Sequence, residues 1–117
     1  MTVLFVEDDR QVRRVITEAL AARGLRVLTA EDGYEALRLL AQEHVDVLFA
    51  DIVMPDLDGV ELVRQAKLLR PHLHVLMATG YASKAKEAAS LGKLLFKPLR
   101  ADQIEAEIRQ LMHEGAE

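Results

Sequence analysis

Five short apolar runs, separated by stretches in which apolar residues recur at helical spacing, constrain this chain more than any other feature. The runs are Val3 to Val6, Val27 to Ala30, Val45 to Ala50, Val75 to Ala78 and Leu94 to Phe96. Each is too short for a stable helix and mostly apolar on both faces, as strands are in a parallel sheet covered on both sides. Between the first two runs, Val12, Val15, Ile16, Ala19 and Leu20 recur at i, i+3, i+4, i+7 and i+8, and Gly24 follows where a helix needs a left-handed cap. A second helix is expected to bury Ala36, Leu37, Leu40 and Ala41. A third should bury Leu62, Val63, Ala66 and Leu69 and stop before Pro71. The last, after Pro98, should bury Ile104, Ile108, Leu111 and Met112 and fray after His113. The fourth connection, Ala82 to Ser90, offers a core only alanines between Gly80 and Gly92, so a short or poorly ordered helix is expected there.

This alternation means α/β. With right-handed crossovers, five βα units at this size favour a flavodoxin-like three-layer α/β/α sandwich, a five-stranded parallel sheet in order 2-1-3-4-5 with about five helices. Residues 1–117 then form one domain, and with 50% hydrophobic residues they can fill one core. No apolar stretch spans a bilayer and the N-terminus lacks the sections of a signal peptide, so a cytoplasmic protein without membrane contact is expected. The absence of cysteine excludes thiolate metal sites, disulfides and cysteine nucleophiles. A net charge of -4, no tryptophan and 4% aromatic residues argue against direct nucleic-acid binding.

In such a sheet ligands gather at the carboxyl ends of the strands. There the first run ends in Glu7-Asp8-Asp9, the third in Asp51, the fourth in Thr79-Gly80 and the fifth in Lys97-Pro98. Clustered carboxylates repel and hold their protons unless a cation is present. Oxygen ligands without histidine or cysteine suit Mg²⁺, with Mn²⁺ as a substitute, and a phosphoryl group completes such a site. Thr79 and Lys97 supply a hydroxyl donor and a point charge for phosphoryl oxygens. The rim has no histidine base, no glycine-rich phosphate cradle and no paired carboxylates flanking a sugar cleft, which leaves a carboxylate as nucleophile. Asp51 is the candidate, since it ends the central strand and leads into the tight Met54-Pro55-Asp56-Leu57-Asp58-Gly59 turn. Taken singly, these residues have plainer readings: a helix start for Glu7 to Asp9, a turn cap for Asp51, an ordinary loop hydroxyl for Thr79 and a solvated lysine for Lys97.

Taken together, Val6-Glu7-Asp8-Asp9, Asp51 with Met54-Pro55 and Asp58-Gly59, Ala78-Thr79-Gly80 and Phe96-Lys97-Pro98 resemble the receiver domain of two-component response regulators. The likeness covers essentially the whole chain, in the family's order and at roughly its spacing. It implies that Asp51 accepts a phosphoryl group from a phosphohistidine on a histidine kinase or phosphotransfer protein. It also implies that Glu7 and Asp8 are the acidic pair around Mg²⁺, with Asp51 and the backbone carbonyl of Val53 as further ligands. Asp8 rather than Asp9 aligns with the direct ligand, because Val12 then falls on the family's apolar position, and Asp9 merely starts the helix. Thr79 is carried over as the switch hydroxyl and Lys97 as the phosphoryl-binding lysine, with a downstream protein target met through the fourth and fifth βα units.

Two departures stand out. Leu94 occupies the position where many receivers place an aromatic switch residue, and Tyr81 is the substitute this sequence offers. The stretch from Thr79 to Lys97 is shorter than in many receivers, as in some single-domain members, so phosphorylation is expected to order Tyr81 to Leu91. Neither Val53 nor Tyr81 supplies a base to orient water, so a long-lived phosphoryl state is expected. Phe5, Phe49 and Phe96 are expected in the core, Tyr34 at the edge of its helix, and Arg13 and Arg14 on a solvated face, although the resemblance also implies that this helix helps dock the histidine phosphodonor. The chain reads as a stand-alone regulator rather than a turnover enzyme. The alternatives are the receiver portion of a hybrid histidine kinase, a receiver-like module that binds a partner without phosphorylation, and a hydrolase using the same aspartate.

Overall fold

The computed structural model describes residues 1–52, 58–80 and 88–115. In chain order these form β1 (Thr2–Val6), α1 (Arg10–Ala22), β2 (Arg26–Ala30), α2 (Gly33–Gln42), β3 (Val47–Asp51), α3 (Gly59–Leu69), β4 (His74–Thr79), β5 (Lys93–Phe96) and α4 (Ala101–Gly115). The strands make one sheet in the order β2-β1-β3-β4-β5, and every neighbouring pair is parallel. Successive side chains of a strand point to opposite faces, so the apolar runs feed two cores. Leu4, Val6, Leu48, Ala50, Val75 and Met77 pack against α2 and α3. Val3, Phe5, Val47, Phe49, Leu76 and Ala78 meet Leu20 of α1 and Ile104 and Ile108 of α4. This is the expected three-layer sandwich. Among the described residues no helix is long and apolar enough to cross a membrane.

Local chemistry starts and stops the elements. Asp9, Asp32 and Asp58 cap α1, α2 and α3, each accepting at least one N–H of the first turn. After α1 the chain turns at Gly24, whose φ of 89° lies in the left-handed region glycine tolerates. Val45 and Asp46 stay outside β3, although the apolar run begins at Val45. The Asp46 carboxylate accepts the Thr2 N–H at 2.8 Å, while its own N–H donates to the Thr2 carbonyl at 2.9 Å. Burial opposes its ionisation, but that bond and His44 outweigh it and lower its pKa. Asp46→Ala is expected to cost about 1–2 kcal/mol in a urea titration at neutral pH, because the Thr2 amide loses a charged acceptor; an unshifted midpoint would show that water replaces it.

Several burial expectations are corrected. Val12 and Val15 of α1 are exposed, at 40% and 62%; Val12 borders a cavity. Ala41 is exposed, since the buried line of α2 follows Gly33, Ala36 and Leu40 and Ala41 stands about 100° further round. Leu69 is exposed as the last residue of α3, and Phe96 is 52% exposed at the end of an edge strand. Phe5 and Phe49 are core and stack with centroids 4.9 Å apart. α4 continues to Gly115, two residues beyond the expected end. Among the described residues four long helices are seen. In the fourth connection Ala88 and Ala89 are helical, while Tyr81 and the rest of 81–87 lie outside the described residues.

Candidate functional site

Because all five strands run the same way, residues far apart in sequence arrive at one rim. Register sets their levels: Val6 pairs with Ala50, Asp51 with Ala78 and Thr79 with Phe96. Glu7 is held just past β1 by its N–H on the Ala30 carbonyl at 3.1 Å, and Lys97 just past β5 by its N–H on the Thr79 carbonyl at 2.8 Å. The Lys97–Pro98 peptide is cis. Asp51 is the last residue of β3 and only 6% exposed, Glu7 is 3% exposed, and Thr79 is fully buried. On the far side of Asp51, Gly59 opens α3 with its N–H on the Ile52 carbonyl at 3.2 Å. A Cβ at Gly59 would lie 2.2 Å from Ile52 Cα and 2.6 Å from the Asp51 carbonyl oxygen. Only glycine lets the helix start this close to the strand.

The side chains converge as expected for Glu7, Asp8, Asp51 and Lys97. Lys97 Nζ donates to Asp51 Oδ2 at 2.6 Å and lies 3.5 Å from Glu7 Oε1. Carboxylate oxygens of Glu7, Asp8 and Asp51 all lie within 4.8 Å of one another. Asp9 is not part of this group. It caps α1 with Oδ1 and donates its own N–H to Glu7 Oε2 at 3.1 Å. The Leu94 side chain is partly buried against the core on the α2–α3 side. Val53, expected to lend a carbonyl, and Tyr81 lie outside the described residues.

One positioning residue was missed. Arg13, expected on a solvated face, is partly buried and donates from Nη1 to the Glu7 carbonyl at 2.8 Å, tying α1 back to the β1 end. The only trace of this in the sequence is an arginine one turn into the helix, where it can reach back over the turn.

Electrostatics follow from burial. Glu7 is pushed up to about 7, chiefly by desolvation, with Asp8 and Asp51 raising it further against the Asp9 N–H and Lys97. Lys97 is also partly desolvated, but the hydrogen bond to Asp51 and the charges of Asp51 and Glu7 outweigh that and raise it above the ordinary lysine value. Among the described residues one ammonium thus faces three carboxylates. An all-oxygen donor set with this excess negative charge fits a hard divalent cation, with Asp8, the exposed member, at its solvent edge. Glu7 binds its proton more tightly folded than unfolded, so the metal-free protein should lose stability as pH rises from about 4.5 to about 7 and stay lower beyond. Urea midpoints at several pH values in a chelator should show this slope, and Glu7→Gln should remove it; a slope that survives the substitution would put its origin elsewhere.

Beside the carboxylates, a cavity of about 430 Å³ lies between α1 and α4, lined by Val12, Ile16, Leu99 and Ile104 together with Glu7, Asp51 and Lys97. Histidine is absent from the described rim: His44, His72 and His74 line a cavity at the opposite end of the sheet.

Comparison with known proteins accords with this geometry. Residues 3–109 match the family model described as the response regulator receiver domain. The chain is 34% identical over 114 residues to the response regulator receiver protein CpdR of Brucella abortus, covering 94% of this chain and 95% of that protein. It is 36% identical to the response regulator MprA of Mycobacterium leprae over 96% of its own length but 51% of MprA, so it spans about half of that relative. The crystal structure of a CheY-like response regulator receiver domain protein from Methanospirillum hungatei superposes with a TM-score of 0.92 at 27% identity, covering 98% of this chain and 95% of that one.

Proposed function

The chain belongs to the response regulator receiver domain family, and from that premise we propose that Asp51 is the phosphoacceptor of a two-component or phosphorelay system. The observation that carries this reading is the buried Asp51 carboxylate, held by Lys97 at 2.6 Å and flanked by Glu7 and Asp8 at the carboxyl edge of the sheet. The donor is a phosphohistidine on a histidine kinase or phosphotransfer protein. An Asp51 oxygen attacks phosphorus in line, the phosphorus–nitrogen bond breaks, and its electron pair leaves with the imidazole. Lys97 holds the Asp51 carboxylate in one orientation before attack, and its charge offsets that developing on the phosphoryl oxygens. Glu7, Asp8, Asp51 and the carbonyl of Val53 would hold Mg²⁺, which when bound neutralises phosphoryl charge.

After transfer Asp51 is an acyl phosphate, a mixed anhydride without a free carboxylate, so the Lys97 contact has to pass from the carboxylate to a phosphoryl oxygen. Lys97 follows β5 directly, and the buried Thr79 ends β4, so the rearrangement bears on the fourth and fifth βα units, where the protein target is met. Leu94 on β5 and Tyr81 after β4 would respond there. The apolar cavity beside Val12 and Ile16 supports docking of the donor along α1. This is a one-turnover acceptor working in the cytoplasm without nucleic acid or membrane, and residues 1–117 act as one domain. Incubation with Mg²⁺ and acetyl phosphate should add one phosphoryl group by intact mass, and a chelator should prevent it. No adduct from acetyl phosphate or from a phosphohistidine donor would overturn the proposal. Mg²⁺ affinity should fall about tenfold per pH unit well below pH 7 as protons compete for Glu7, read by titration calorimetry.

A further inference from the structure

An open cavity of about 310 Å³ is lined by Arg10, Arg13, Arg14, Thr17 and Glu18 of α1 and by Thr29 of β2. From it we infer a binding site for a small oligophosphate anion between α1 and the end of β2, separate from the phosphoacceptor and independent of the function proposed above.

Arg10, Arg13 and Arg14 stand at i, i+3 and i+4 and therefore share one helix face. This concentrates three guanidinium groups in a protein whose net charge is -4. Each is differently prepared. Among the described residues the Arg10 guanidinium makes no hydrogen bond or ion pair. Arg13 is already oriented by its bond to the Glu7 carbonyl. Arg14 is held by Glu18 at 3.2 Å in a pair whose side chains are 77% and 69% exposed. Such a pair contributes little, and an anion can displace it.

The second observation is independent of charge. Thr17 Oγ1 is buried and has no hydrogen-bond partner, the single such side-chain atom found among the described residues. A buried hydroxyl without a partner calls for a missing one, and Thr17 lines this cavity across from Thr29. Rotation about χ1 is the only movement a threonine needs to redirect its hydroxyl.

The donor count selects the ligand. Three guanidinium forks and two hydroxyls exceed what one carboxylate accepts, whereas the oxygens of a pyrophosphate or triphosphate accept them all. None of the lining residues is aromatic, so no platform for a nucleobase is present and recognition rests on the phosphates.

The test titrates inorganic pyrophosphate and triphosphate, without metal and with chelator, into isotopically labelled protein and follows backbone amides by NMR. Saturable shifts at Thr17 and Thr29 that weaken with salt are expected, and they should persist in Asp51→Asn. Arg10→Ala combined with Arg14→Ala should weaken binding about tenfold or more. Thr17→Val should also weaken it while leaving thermal stability unchanged or raised, since an unpartnered buried hydroxyl is removed. Glu18→Gln should tighten binding about threefold by releasing Arg14; a merely solvated face would not respond this way. Shifts confined to Thr79 and Lys97, no saturation, or insensitivity to Thr17→Val and Glu18→Gln would overturn the site. So would capture of a polyglutamate peptide at these amides without capture of pyrophosphate, which would make the face a protein-docking surface.

Discussion

Asp51→Asn should abolish the covalent phosphoryl adduct altogether while leaving the fold intact. The carboxamide has nearly the shape of the carboxylate and fills the same position at the end of β3, but its oxygen is not a competent nucleophile. Its neighbours should tolerate the change. Two nearly buried carboxylates, Glu7 and Asp51, now share the partly exposed Lys97, so removing one charge relieves repulsion and leaves Lys97 still 3.5 Å from Glu7. Glu7 should therefore titrate below its present value of about 7, since Asp51 is one of the groups raising it. Intact mass after acetyl phosphate treatment, with an NMR titration of Glu7, reads both effects. An adduct of undiminished yield in this variant would move the acceptor to another side chain and end the assignment of Asp51.

Gly59→Ala is the second change expected to be severe, and it acts on packing. The added methyl would meet Ile52 Cα at 2.2 Å, the Asp51 carbonyl oxygen at 2.6 Å and the Ile52 carbonyl carbon at 2.8 Å. All three are main-chain atoms of the strand end and the residue after it, so no side chain can rotate away. Either α3 lifts off the sheet, uncovering Val60, Leu62 and Val63, or the end of β3 shifts and takes Asp51 with it. A loss of about 3 kcal/mol or more is expected in urea denaturation, together with a fall in phosphorylation rate. Gly80→Ala is the control. Among the described residues a Cβ there meets nothing within 4 Å and the backbone is not left-handed, so a change within about 0.5 kcal/mol is expected. Equal midpoints for the two alanine variants would show that the strand end yields more easily than its backbone contacts imply.

The α/β class and strand order were legible because parallel strands buried on both faces must be apolar throughout, and right-handed crossovers leave few orders for five of them. The same periodicity overstated burial at Val12, Val15, Ala41, Leu69 and Phe96. An apolar spacing states which face a residue shares, not whether anything covers that face. The apolar run from Val45 overstates β3 by two residues, because Val45 precedes an aspartate committed to the Thr2 amide. Asp9 was assigned to the helix start, and that is where it caps α1.

For the candidate site, the sequence by itself determined which polar groups end the strands, since Glu7, Asp51, Thr79 and Lys97 each interrupt an apolar run, and a parallel sheet sends all such ends to one rim. Only the tertiary structure decided that Lys97 lies against Asp51 rather than in solvent, that Glu7 is desolvated enough to hold a proton near neutrality, and that Arg13 reaches back to the Glu7 carbonyl. The division has one physical cause. Periodicity is a local property carried by the chain, whereas contact distance and desolvation arise when segments such as those carrying Asp51 and Lys97, 46 residues apart, pack against each other, and no local pattern encodes that packing.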